Sequence, residues 1–256
     1  MPDLSWRDAI VKVLESHLDP VHYVEIANEI IQRQLRTAVG ATPADSVHSV
    51  IGVSIRSEGA SSPFQKVSRG YFALKGAGTI PQEVVAEDLS EDTPDTGLIN
   101  AFGMFWARDK VRWASTPKIL GQQQSGSTQV DFCAQQGVYL LYDSTRTIYV
   151  GRTTARGLGT RLYEHTRDRL SDRWDRFSWF GVYPVTETGT LRTQPASGYT
   201  TEALIVTMEA LLIEGLEPPQ NRKGGDDFRA AEFQQTTDPS IEKEELLARL
   251  GKLPTA

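Results

Sequence analysis

Two tyrosines, an arginine and a histidine stand close together in one stretch of this chain. Tyr139 ends Gly137-Val138-Tyr139, Tyr149 opens Tyr149-Val150-Gly151, and Arg161 and His165 follow. Phenols and an imidazole exchange protons, while a guanidinium offers a planar fork of donors to an anion. Gathered in one pocket, the four side chains would suit proton transfer beside a bound anion. A carboxylate, Glu209, and an amide, Asn221, come later, the amide closing Pro218-Pro219-Gln220-Asn221.

The elements around these residues favour such a gathering. Val138-Tyr139-Leu140-Leu141-Tyr142 and Thr147-Ile148-Tyr149-Val150 are rich in β-branched and aromatic residues, and turn formers Asp143 to Arg146 separate them, so an antiparallel hairpin is expected. The two tyrosines then sit on neighbouring strands. After a loop holding Gly157 and Gly159, the spacing of Arg161 and His165 puts both on one face of a helix. Phe177 to Tyr183 reads as a third strand whose aromatics fill the core. Thr201 to Leu216 reads as a helix that buries Leu204, Ile205, Met208, Leu211 and Leu212 and stops at Gly215 and Pro218. Upstream, Phe102 to Trp106 and Val111 to Trp113 read as strands around a turn at Asp109-Lys110, and Gly121 to Thr128 as a loop. Helical stretches are expected around 228–234 and over 241–250.

The 256 residues, 39% hydrophobic, suffice for two small domains with proper cores. A single cysteine, Cys133, excludes an intrachain disulfide and a multi-cysteine zinc site. The chain opens without a basic segment followed by an apolar run, and no stretch approaches the ~20 apolar residues of a membrane span, so a cytoplasmic protein without a membrane partner is expected. The net charge is −6, yet Glu83, Glu87, Asp88, Glu91, Asp92 and Asp95, with no Lys or Arg between Gly78 and Gly97, account for all of it. That stretch reads as an acidic linker. Eight arginines between Arg146 and Arg176 crowd the hairpin and its helix, which leaves room for a local phosphate-facing surface.

Residues 5–19, 21–35 and 42–57 each carry a helical stripe of apolar residues, and Phe64 to Leu74 reads as two strands joined at Arg69-Gly70. Three helices and a hairpin make a winged helix. His22-Tyr23-Val24-Glu25-Ile26 and Phe64-x-x-Val67-x-Arg69-Gly70-x-Phe72-Ala73-Leu74 resemble the HARE-HTH domain over about residues 3–76. The resemblance implies DNA sensing, including modified DNA, with the third helix in the major groove and His48, Ser49, Gly52 and Arg56 as candidate contacts.

The downstream pattern resembles the GIY-YIG nucleases. Gly137-Val138-Tyr139 and Tyr149-Val150-Gly151 match the two halves of the name, each with valine for isoleucine. Arg161 matches the family's helix arginine, His165 the position one turn on, and Glu209 with Pro218-Pro219-Gln220-Asn221 the metal-binding glutamate and its Pro-Pro-x-Asn. The likeness implies hydrolysis of phosphodiesters in double-stranded DNA. Glu209 would hold Mg²⁺ (or Mn²⁺) and Arg161 the non-bridging oxygen. Tyr139 would act as base or orient the water, its phenol pulled down by nearby cations. Tyr149 would complete the water network, His165 would accept or relay a proton, and Asn221 would pin the geometry. Either Arg152 or Arg156 would be the loop cation at the phosphate.

The fold class that follows is α+β: a winged helix over 1–77, an acidic linker over 78–97, and a GIY-YIG domain over 98–256 with a small antiparallel sheet flanked by helices. Within it, 98–135 is an N-terminal β extension and 136–222 the catalytic core. Three functions fit: a restriction-type endonuclease, a DNA-repair or mobile-element nuclease, and a non-catalytic DNA-binding regulatory protein. A homodimer would let one active site serve each strand.

Overall fold

Ser5 turns the chain into its first helix, where its hydroxyl accepts the Asp8 N–H (3.1 Å) and satisfies an amide that the helix start leaves open. The computed structural model describes residues 3–68, 70–76, 98–193, 201–216 and 230–250, with side chains from Thr207 onward in the fourth of these stretches. The acidic linker, Arg69 and Asn221 lie outside the described residues. The fold is α+β, and the chain divides into one unit of residues 1–95 with 124–128 and another of 96–123 with 129–256.

In the first unit α1 (Trp6–Leu14), β1 (Val21–His22), α2 (Tyr23–Gln32) and α3 (Pro43–Glu58) precede a hairpin of β2 (Phe64–Ser68) and β3 (Tyr71–Leu74). Pro43 presets the first turn of α3, and Gly59, at φ 54°, ends it. β1 joins the hairpin in the order β1-β3-β2. Ile10, Val13, Ile26, Ile30, Val47, Ile51, Phe64 and Phe72 are buried in one cluster. This is the winged helix expected from the sequence. Leu18 lies past the end of α1 and is 86% exposed, so the buried stripe is shorter than the apolar pattern. Residues 124–128 belong here too: the Gln124 Nε2 donates to Val24 O (3.1 Å) and the Thr128 N–H to Gly40 O (2.7 Å).

The second unit runs β4 (Ala101–Ala107), β5 (Leu120–Gln122), β6 (Val130–Asp131), β7 (Gly137–Asp143), β8 (Arg146–Thr153), α4 (Leu158–His165), β9 (Arg176–Gly181), α5 (Thr201–Leu216), β10 (Ala231–Glu232), β11 (Gln234–Gln235) and α6 (Pro239–Leu250). Among the described residues its main sheet has five strands, ordered β10-β4-β9-β7-β8, with β10 parallel to β4 and the other pairs antiparallel. One face carries Tyr139, Trp106, Trp179 and Phe132, with Trp106 and Trp179 edge to face at 5.3 Å. The other carries Leu140, Tyr142, Phe102 and Phe180.

Four expectations change. Val111 to Trp113 is not a strand, because the chain turns through Arg108–Lys110 and the Trp113 Nε1–H donates to Arg108 O (2.9 Å). β4 instead pairs with β9, from Ala101 opposite Gly181 to Ala107 opposite Arg176, so the first strand of the supposed extension lies inside the main sheet, while β5 and β6 form a smaller sheet with β11. The stretch expected as helical around 228–234 carries β10 and β11 where it is described; Phe233 between them is buried 4.8 Å from Phe132, and its N–H bonds Phe102 O (2.8 Å). Helix α5 has the expected span, and Leu211 packs on the sheet as expected, with Gly215; Leu204 and Ile205 lie outside the described side chains, while Met208 and Leu212, expected inside, are 57% and 53% exposed. A helix apolar nearly all round does not announce its buried face. Among the described residues no helix is long and apolar enough to cross a membrane.

Candidate active site

The β7–β8 hairpin places Tyr139 opposite Gly151 and Leu141 opposite Tyr149, so both phenols stand on one face of the sheet. The Tyr139 ring crosses β8 at Gly151, where a Cβ would lie 2.3 Å from Tyr139 Cζ. Helix α4 lies on this same face. Leu158, Leu162 and His165 form its buried side, and Gly159 lets it close on Cys133, whose Sγ would be 2.6 Å from a Cβ there.

These contacts bring an imidazole to a phenol. Tyr139 Oη and His165 Nε2 are 2.7 Å apart, and the ring of Tyr149 stands 4.9 Å from that of His165 and 6.2 Å from that of Tyr139. His165 is 4% exposed and Tyr139 is fully buried. On the far side of the imidazole, Nδ1 lies 2.7 Å from Asp168 Oδ2, while Asp168 Oδ1 accepts the Leu170 N–H (2.8 Å). Asp168 was not among the residues expected at the site, although a carboxylate three residues after a histidine at a helix end was a readable signal.

Burial pushes the Tyr139 phenol up to about 12; Arg161 draws it down but does not offset the lost water, and Tyr149 raises it further. The expectation that nearby cations would depress this group is therefore overturned in sign. At neutral pH Tyr139 is a phenol. It can give up its proton only to a partner placed to take it.

In front of Tyr139 a pocket of about 560 Å³ opens at the β8 edge, lined by Tyr149, Gly151, Arg152, Arg156 and Arg161 among others. The Arg161 guanidinium pairs with Glu164, which also holds Arg156. Arg161 and both candidate loop cations, Arg152 and Arg156, thus line the pocket, and an entering anion competes with Glu164 for Arg161 and Arg156. Arg152 and Arg156 stand together on the rim, both exposed.

Glu209 is exposed on α5 and outside the lining of this pocket. Leu211 and Gly215 of the same helix press on Leu140 and Phe180, the sheet face opposite Tyr139. Among the described residues no group of three or more His, Cys, Asp or Glu side chains could hold a metal ion. The structure thus brings Tyr139, Tyr149, Arg161 and His165 together and leaves Glu209 apart from them. In the first unit, Ser49 and Arg56 are exposed on α3, while His48 is half-buried with its ring 5.1 Å from that of Tyr23 and 5.8 Å from that of Phe72.

Residues 4–77 match the HARE-HTH family, an HTH domain whose description names ASXL and restriction endonucleases, over a little more than a quarter of the 256-residue chain. No curated protein and no solved structure matches the chain.

Proposed function

With a HARE-HTH domain at residues 4–77, which suggests DNA binding, we propose that this chain is a divalent-metal-dependent endonuclease of restriction type acting on double-stranded DNA in the cytoplasm. The first unit engages the duplex and the second cuts it. The observation that carries the reading is the meeting of Tyr139, Tyr149, Arg161 and His165 behind and along one arginine-rimmed pocket.

Cutting a phosphodiester requires an activated water, charge neutralisation at phosphorus and help for the leaving oxygen. Arg161, with 24% of its side chain exposed, forks onto the non-bridging oxygen, and Arg152 and Arg156 hold the phosphate as it enters. Tyr149 orients the water from the pocket wall. Tyr139, directly behind, hands its proton to His165 as it receives one from the pocket side. Glu209 would hold Mg²⁺ or Mn²⁺. A carboxylate is the right donor for such an ion, but Glu209 lies outside the pocket lining, on a helix packed against the sheet face opposite Tyr139, so no step of the reaction is drawn through it.

The test is incubation of the purified chain with modified and unmodified duplexes, with and without Mg²⁺ or Mn²⁺. Metal-dependent cleavage is expected, lowered by Arg161→Ala about 10²-fold or more. A second reading, a non-catalytic DNA-binding regulatory protein, is favoured by the position of Glu209 outside the pocket lining. Binding without cutting under every condition would establish it and end the nuclease reading.

A further inference from the structure

His165 touches the candidate site through one ring nitrogen and a carboxylate through the other. Nε2 lies 2.7 Å from the Tyr139 hydroxyl and Nδ1 lies 2.7 Å from Asp168 Oδ2. Neither contact is compatible with every protonation pattern. A carboxylate only accepts, so a proton on Nδ1 satisfies Asp168, and a neutral ring then has its lone pair at Nε2.

We infer that Asp168 is a positioning residue that holds His165 in its Nδ1–H form, so that Nε2 stands ready to accept the Tyr139 proton. The hydroxyl then donates to Nε2. When the proton moves, the O–H bond of Tyr139 breaks, an N–H bond forms at Nε2, and the positive charge that results on the ring faces the Asp168 carboxylate. Nothing is oxidised or reduced, and the proton that Tyr139 takes up in exchange comes from the pocket side.

The surroundings support this assignment. The Trp174 Nε1–H donates to the backbone carbonyl of His165 (3.3 Å) and anchors the end of the helix, while the Tyr149 ring packs on the imidazole, centroids 4.9 Å apart at a tilt of 64°. Asp168 is itself anchored by the Leu170 N–H. Partial burial opposes ionisation of Asp168, but the Leu170 amide, His165 and Arg169 together hold its carboxyl below the ordinary range. A buried phenol that burial keeps protonated needs such a partner, because it does not ionise by itself near neutrality.

The catalytic consequence rests on the nuclease reading, whereas the tautomer does not. Asp168→Asn keeps an oxygen for the Leu170 N–H and turns an NH₂ donor toward His165 Nδ1, which favours the opposite, Nε2–H form. Long-range ¹H–¹⁵N spectra of the full chain, with the His165 signals identified by their loss in His165→Gln, should show a protonated Nδ1 and an unprotonated Nε2 in the wild type, exchanged in Asp168→Asn. In cleavage assays the same variant should lose about 10²-fold in kcat with KM for DNA unchanged. A wild-type proton on Nε2, or a variant with unaltered tautomer and kcat, overturns the inference. Absence of wild-type cleavage counts against the nuclease reading alone, and the spectra then decide the inference by themselves.

Discussion

At the scale of single residues, Tyr139 shows how burial and charge compete. Its oxygen has lost its water, and that loss outweighs the guanidinium of Arg161, so the phenol that titrates at 10.0 in a free side chain moves to about 12. The folded state therefore keeps its proton in a range where the unfolded chain releases one. Stability from this group is fully present below pH 10 and is lost as pH rises toward 12, up to about 2–3 kcal/mol. Cys133 acts in the same direction from a lower start, since burial, with Asp131, pushes its thiol up to about 11. Thermal melts between pH 8 and 12 should show a falling midpoint, and Tyr139→Phe should flatten the part above pH 10. A variant curve that tracks the wild type throughout would mean that Tyr139 is not protected from water.

Among elements, the β7–β8 hairpin and α4 decide whether the site exists. Gly151 is the point where they depend on each other, because the Tyr139 ring crosses β8 only in the absence of a side chain there. A methyl group at 2.3 Å cannot be accommodated without moving the ring or the strand. Gly151→Ala is expected to cost about 1–3 kcal/mol in denaturant unfolding and to remove the Tyr139–His165 contact, lowering cleavage with it. Unchanged stability and activity would show that β8 yields easily. The hairpin was legible in the sequence because alternation and turn residues are local. The partner of β4 was not, because Phe102 and Phe180, which face each other, are far apart in the chain, and nothing local selects between a nearby and a distant strand.

For the whole molecule, the proposed function gives DNA binding to the first unit and cutting to the second. The exposed Arg56 on α3 should contribute to phosphate binding by the winged helix. Arg56→Glu should weaken DNA binding about tenfold and reduce the salt dependence of log Kd by about one to two charges, with kcat at saturating DNA unchanged; fluorescence anisotropy over a salt series measures this. An unaltered salt slope would place the DNA elsewhere. The net charge of −6 gives no guide to this, since the acidic stretch 78–97 carries all of it. By itself the sequence determined the winged helix, the β7–β8 hairpin, the α4 face with Arg161 and His165, and the arginine crowding. Each depends on residues within a few turns or one hairpin of one another. Only the tertiary structure decided that Tyr139 is a raised rather than a depressed phenol, that Asp168 meets His165, that β4 lies inside the sheet, and that Glu209 lies outside the pocket. Solvent exposure and the company a side chain keeps are properties of packing between distant segments, which periodicity along the chain does not encode.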